Sequence, residues 1–189
     1  GTVPLLRASV RHDGRGFLPW ILIATALAAS SMIYPYVFNT EQERQGFAAA
    51  IGANPAIGLI FGPGYSLTTT DGFAAWRSLA LGGFLAAMGA IFTLTKATRA
   101  QEDSGQAELL ASGVMGRSAR LASAVALCLV AEVLLGLMAW LVTIAFGGGV
   151  ANTALLAATF TATGWMFTGV AAITAQIGAE ARTANSMAV

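Results

Sequence analysis

Residues Lys96–Arg120, KATRAQEDSGQAELLASGVMGRSAR, carry Lys96, Arg99, Glu102, Asp103, Glu108, Arg117 and Arg120, seven of the chain's nineteen formal charges. Long, nearly charge-free apolar runs lie on both sides, so this polar island divides the chain. Its local pattern is helical: Asp103 or Ser104 can cap, and Glu108 follows within a turn or so, where an acid suits the positive end of a helix dipole. Leu109, Leu110, Val114 and Met115 form one short apolar stripe, and Gly113 and Gly116 fray or end it. The spacing predicts a short amphipathic helix between two membrane spans. The same composition also describes a solvated loop that caps two helices, and that alternative stays open.

Working outward, composition sets the class. Of 189 residues 56% are hydrophobic and only 10% charged, with 22 glycines; the mean hydropathy is +0.70. Soluble domains carry about a quarter charged residues, so the expected fold class is all-α: a polytopic helical membrane protein with four transmembrane helices. The net charge of +1 and the scattered basic residues give no phosphate-binding stripe, which excludes nucleic acid as a partner. The single cysteine, Cys128, lies in an apolar run and reads as a small core hydrophobe.

Before the island, residues 1–16 place Arg7, Arg11 and Arg15 at spacings of four among Leu5, Leu6 and Val10, which fits an interfacial helix beside lipid phosphates or a disordered tail. His12 beside Asp13 has no second histidine to complete a metal site. No cleavable signal is evident, because the apolar run after Arg15 has the length of a span. The chain opens at Gly1 and stops at Val189 as hydrophobicity returns, the pattern expected of a fragment.

The first span is predicted over 18–37, with Trp20, Tyr34 and Tyr36 as interfacial anchors and Pro35 as its terminator. Residues 38–72 form an extra-membrane segment. Within it Thr40 caps a short helix to Ile51, with Glu41 and Glu43 in its first turn, and Asn54-Pro55 and Gly62-Pro63-Gly64 mark turns. Its apolar residues Ile57, Leu59, Ile60 and Phe61 are expected to be buried against the bundle or the bilayer. Asp71 caps a second span over 73–95, with Trp76 and Arg77 at its boundary. Gly82, Gly83, Gly89, Ala86 and Ala87 there supply small faces for close helix packing. After the 96–120 loop, a third span covers 121–146, Gly147-Gly148-Gly149 turns the chain, and Asn152 or Thr153 caps a fourth span over 154–175. Residues 176–189 form a tail. Arg7, Arg11, Arg15, Lys96, Arg99, Arg117, Arg120 and Arg182 fall on one side against Arg44 and Arg77 on the other, which predicts a cytoplasmic N-terminus and 96–120 loop.

Glu132 is the one ionisable residue deep in a span, where burial costs about 2.5 to 3.5 kcal/mol on insertion scales. It reads either as a site for a proton, a cation or a cationic substrate group, or as a protonated acid bonded to a neighbouring helix. No GxxxxGK[ST], HExxH or GxSxG sequence occurs, so ATP binding by a P-loop and catalysis within the chain are unsupported.

Three segments also carry a resemblance. TRAQEDSGQAELLASGVMGRSARLASA resembles the first cytoplasmic loop of ABC-2 type exporter permeases, nearest to the polyketide-antibiotic or tetronasin-type exporters of actinobacteria. ANPAIGLIFGPGYSLTTTDGFAAWR resembles their segment between spans one and two, and AAITAQIGAEARTANSMA the stretch after span four. The resemblance implies a plasma-membrane permease subunit that exports hydrophobic small molecules, antibiotics and drugs among them. A separate ATPase subunit would hold ATP and Mg, with no cofactor in this chain. The loop between spans two and three would be the coupling helix, carried by Glu102, Asp103, Gly105, Glu108, Leu109, Leu110 and Arg117. Gln106 stands where the family often has Arg, which touches one charged contact. Such permeases are about twice this length or more, with two six-span halves, so the remaining permease is an expected partner beside the ATPase and the lipid bilayer. Two other classes compete: a proton-coupled small multidrug antiporter that uses Glu132, and a non-transporting membrane scaffold.

Overall fold

The computed structural model describes residues 14–100, 117–178 and 180–189. Among them every regular element is helical. We number the α-helices α1 Leu18–Ser30, α2 Tyr34–Val37, α3 Glu41–Gly52, α4 Pro55–Phe61, α5 Thr70–Thr95, α6 Arg117–Ala145, α7 Val150–Ile177 and α8 Ala181–Ala188. Four stretches are long and apolar enough to cross a membrane: Arg15–Val37, Thr70–Thr98, Ala119–Ala145 and Val150–Ile177.

The first span is not ended by Pro35, as its sequence suggested. A 3-10 turn, Ser31–Ile33, joins α1 to α2, and Pro35 occupies the first turn of α2, where its missing N–H is tolerated. The helix stops instead at Phe38, whose backbone leaves helical geometry at φ −113°, ψ 85°. The cap of α5 is Thr69 and not Asp71: the Thr69 hydroxyl accepts from the Gly72 N–H at 3.1 Å. Likewise α7 starts at Val150, ahead of Asn152 and Thr153, with Gly149 at its N-cap and no capping side chain. Both helices therefore begin about a turn earlier than their hydrophobic runs, because polar residues fit the solvated first turn.

Close packing of the spans rests on missing side chains. A Cβ at Gly82 would overlap the Phe160 ring, and one at Gly89 would crowd Phe17 and Trp20. Ala86 and Ala87 are buried between them in sequence, so the small face predicted for span two receives the aromatic rings of spans one and four. Trp20 packs on the bundle, its ring 5.9 Å from that of Phe92. Ser31 and Ser78 share a buried hydroxyl hydrogen bond of 3.1 Å between spans one and two. Cys128 is fully buried, in a cluster with Ile91, Leu94, Ala171 and Ala175.

The 38–72 segment is tied to one end of the bundle by aromatic rings. Tyr34 is buried, donates its hydroxyl to the Leu67 carbonyl and stacks on Phe73 at 4.6 Å, so it too is a packing residue and not a surface anchor. Phe38 and Phe47 complete the cluster at 4.8 Å from one another, each such pair contributing about 0.5–1.5 kcal/mol. Thr40 and Glu43 form a reciprocal capping box on α3, as their spacing predicts. Asn54 caps α4, and the Trp76 indole N–H donates to the Gly62 carbonyl at 3.1 Å, holding the turn that follows. Leu59 and Ile60 are 88% and 70% exposed, so of the two surfaces expected to bury them, bundle and bilayer, the bundle does not: α4 is too short to turn both onto the one face that meets it.

Candidate functional site

The residues assigned to coupling, Glu102, Asp103, Gly105, Glu108, Leu109 and Leu110, lie outside the described residues; Arg117 is the first residue of α6. The N-terminal segment with His12 and Asp13 also lies outside them. On the bundle side of this loop, α5 does not stop at Thr95 but loosens into a π-helical stretch, Lys96–Ala100. Lys96 is exposed there. Such wider turns occur where a helix changes direction or hands over to another element.

Glu132 is the second candidate, and the structure buries it completely. It stands at the midpoint of the Ala119–Ala145 span, and its carboxyl group occupies the space that Gly164 of α7 leaves open. A Cβ on Gly164 would overlap the carboxyl carbon. Neither Oε1 nor Oε2 has a hydrogen-bond partner among the described residues. Of the two readings of Glu132, the acid bonded to a neighbouring helix finds no such bond among the described residues. The contact to the neighbouring helix runs through the main chain: the Thr161 hydroxyl donates to the Glu132 carbonyl at 3.2 Å. An unpartnered carboxyl group at midspan gains nothing from hydrogen bonding to offset its desolvation. Packing alone does not account for it.

The third feature escaped sequence reasoning. On the outer face of the contact between α6 and α7 lies a groove of about 360 Å³. Its floor is Gly136 of α6 and Ala154, Ala158 and Ala162 of α7. Trp140 and Trp165 flank it, their indole N–H groups donating to the Val150 carbonyl at 3.0 Å and the Leu129 carbonyl at 3.1 Å respectively. Gly136 allows the close approach, since a Cβ there would overlap the Thr161 hydroxyl. The sequence signal was an alanine every four residues in span four, with a tryptophan three residues beyond the last.

At the end where α6 turns into α7, Asp71 joins two spans. It accepts from the Gly149 N–H at 3.1 Å and the Asn152 side-chain amide at 2.8 Å. The residues thought to cap helices here thus bond to one another across the turn, in which Gly147 takes φ +96°. No group of three or more potential metal ligands is present among the described residues.

A bundle of four apolar helices with an aromatic-tethered segment at one end and a buried midspan acid defines a polytopic helical membrane protein. No family model matches the chain. It is similar, at 33% identity over 192 residues, to the protein named multidrug efflux system permease protein Rv1217c from Mycobacterium tuberculosis. The match covers all of this chain and 34% of that relative, so the chain spans about a third of its length.

Proposed function

We propose that this chain forms part of the membrane subunit of an ATP-driven exporter of hydrophobic compounds, in the ABC-2 permease family. The observation that carries the reading is the similarity, along the whole of this chain, to about a third of a protein named as a multidrug efflux system permease. In this reading the loop between spans two and three docks on a separate ATPase that holds ATP and Mg. Glu102, Asp103 and Glu108 meet basic or helix-N-terminal groups on that partner, while Leu109 and Leu110 fill an apolar slot. Arg117, at the start of α6, then transmits closure of the ATPase to span three, and the Lys96–Ala100 stretch does so for span two. The excess of basic residues around this loop supports a cytoplasmic side for it, in a permease of the plasma membrane.

The test is co-purification of the full-length permease with any ATPase encoded beside it, with the native loop and with Glu108→Arg. Retention with the native loop and loss with the variant is the expected result. Equal retention would remove the loop from the docking site. A second reading is favoured by the unpartnered burial of Glu132: a proton-coupled efflux in which this acid carries the proton. It requires that transport by the full-length protein collapse with the proton gradient and be lost in Glu132→Gln, with ATP still present.

A further inference from the structure

The donors that flank the Glu132 carboxyl group are spent on the main chain. The Thr161 hydroxyl serves the Glu132 and Ala157 carbonyls, the Thr168 hydroxyl the Gly164 carbonyl at 2.8 Å, and the Trp165 indole N–H the Leu129 carbonyl. The Cys128 thiol, one turn nearer Arg117 on α6, points to the Ala90 carbonyl at 3.9 Å. Charged groups are distant as well. Helices α1 and α7 contain no titratable residue, and those of α5, Asp71 and Arg77, fall near its start, at the Gly149 end. Lys96 follows α5 at the opposite end, beside Gly16. On α6 itself stand Cys128 and, more than three turns away, Arg117 and Arg120. A buried carboxylate without donors or counter-charge is far costlier than the neutral acid, so the closed socket over Gly164 accepts the acid and not its anion.

The helix contact on either side of this socket is unequal. Toward the Gly149 end α7 is clasped: the Phe160 ring fills the notch at Gly82, and Asp71 accepts from the Gly149 N–H and the Asn152 amide. Toward the Ile177 end α7 meets its neighbours through Ala171 and Ala175, packed with Cys128, Ile91 and Leu94. An alanine methyl group makes far fewer contacts than an interlocked aromatic ring, so this half of α7 parts from α6 at the lower cost.

We propose that Glu132 and Gly164 form a proton-operated joint between α6 and α7. With the carboxyl group neutral, it fills the Gly164 socket and the Ile177 half of α7 lies closed on α6. On ionisation the O–H bond breaks and the proton passes to water entering at the joint. That half of α7 then parts from α6, which hydrates the carboxylate and exposes Cys128. Reprotonation closes the joint. The joint goes beyond the proton-coupled reading above, since it assigns the proton to helix movement and holds whether export is driven by ATP or by a proton gradient.

The experiment uses the full-length permease in phosphatidylcholine nanodiscs from about pH 5 to about pH 10, a range that reaches both forms of buried carboxyl groups. Infrared difference spectra, parent minus Glu132→Gln, isolate the Glu132 carboxyl C=O band, which should be present at the acid end and vanish toward the alkaline end. Exposure of Cys128 is read with a trimethylammonium methanethiosulfonate, a cation confined to water, its adduct mapped by mass spectrometry. Thiol chemistry itself quickens with pH, so the readout is the ratio of Cys128 labelling rates in parent and Glu132→Gln. That ratio should be near unity at the acid end and rise at least tenfold as the band vanishes. Gly164→Ala, whose methyl group takes the socket, should leave Cys128 labelled at acid pH, and adding Glu132→Ala should restore protection at every pH. The ratio decides the matter if Gly164→Ala fails to fold, with Glu132→Leu replacing Glu132→Gln if the amide does. The joint is overturned by a ratio that stays flat while the band vanishes, since the proton then leaves without helix movement. It is equally overturned by a band missing at the acid end or unchanged across the range. Export and ATPase retention play no part in the readout, so failure here leaves both transport readings standing, and failure of either leaves the joint standing.

Discussion

The two faces of α7 are built from the same small residues and do opposite things. Facing inward, Gly164 accepts the Glu132 side chain, and Phe160 enters the notch at Gly82. Facing outward, Ala158 and Ala162 stay exposed beneath a groove framed by tryptophans. A small residue is thus a socket where a neighbouring helix supplies a large side chain, and a floor where none does. The inward face specifies how the spans lock; the outward face keeps space available.

The contrast can be broken most forcefully from the inside. Gly164→Leu asks the Glu132 carboxyl and a new side chain to share one volume, and overpacking of this kind costs about 1–3 kcal/mol or more. We expect a large drop in the detergent melting temperature of the full-length protein; an unchanged melt would mean that α6 and α7 are not locked there. Glu132→Leu should move the other way. Removing a buried group with no partner relieves a desolvation cost of order 1–3 kcal/mol, so the variant should melt higher, with Glu132→Gln close to the parent. A strong destabilisation by Leu would reveal a partner to the carboxyl that the bundle itself lacks.

On the outward side the effects should be smaller. Trp165→Phe retains a ring but loses the N–H donated to Leu129, which accounts for about 0.5–1.5 kcal/mol. A loss well above that would make Trp165 part of the lock and not of the groove wall. The smallest effect belongs to the solvated 38–72 segment, which offers a reference free of both faces. There the Thr40 backbone N–H, with the Thr40 hydroxyl and Arg44 in support, holds the Glu43 carboxyl below its ordinary 4.5. A depressed carboxylate stabilises α3 fully above the ordinary value, and the contribution fades as pH falls through the lowered one. Thr40→Ala should raise the Glu43 titration midpoint, read by NMR of the side-chain carbon, and weaken the helix signal chiefly above that pH.

Much of this was legible residue by residue. Thr40 followed by Glu43, Asn54 before Pro55, and Gly82 and Gly89 among alanines are local patterns whose physics acts within a few residues, and the structure places a capping box, a helix cap and tight helix contacts at them. Asp71, Asn152, Trp20 and Tyr34 were each assigned the role their neighbours in sequence suggest, and each bonds or packs to something distant in sequence. Glu132 was visible as an oddity, but the absence of a partner at its carboxyl could be learned only once Gly164 was placed opposite it.

By itself the amino-acid sequence determined that the chain is a set of apolar helices in a membrane, because hydrocarbon admits only segments whose backbone bonds are satisfied internally and about 20 apolar residues are needed to cross it. It also determined where polar residues interrupt those helices. Which small residues are filled and which are left open was decided only by the tertiary structure. A missing side chain has no preference of its own, and whether a neighbour enters the space depends on how α5, α6 and α7 are rotated against one another.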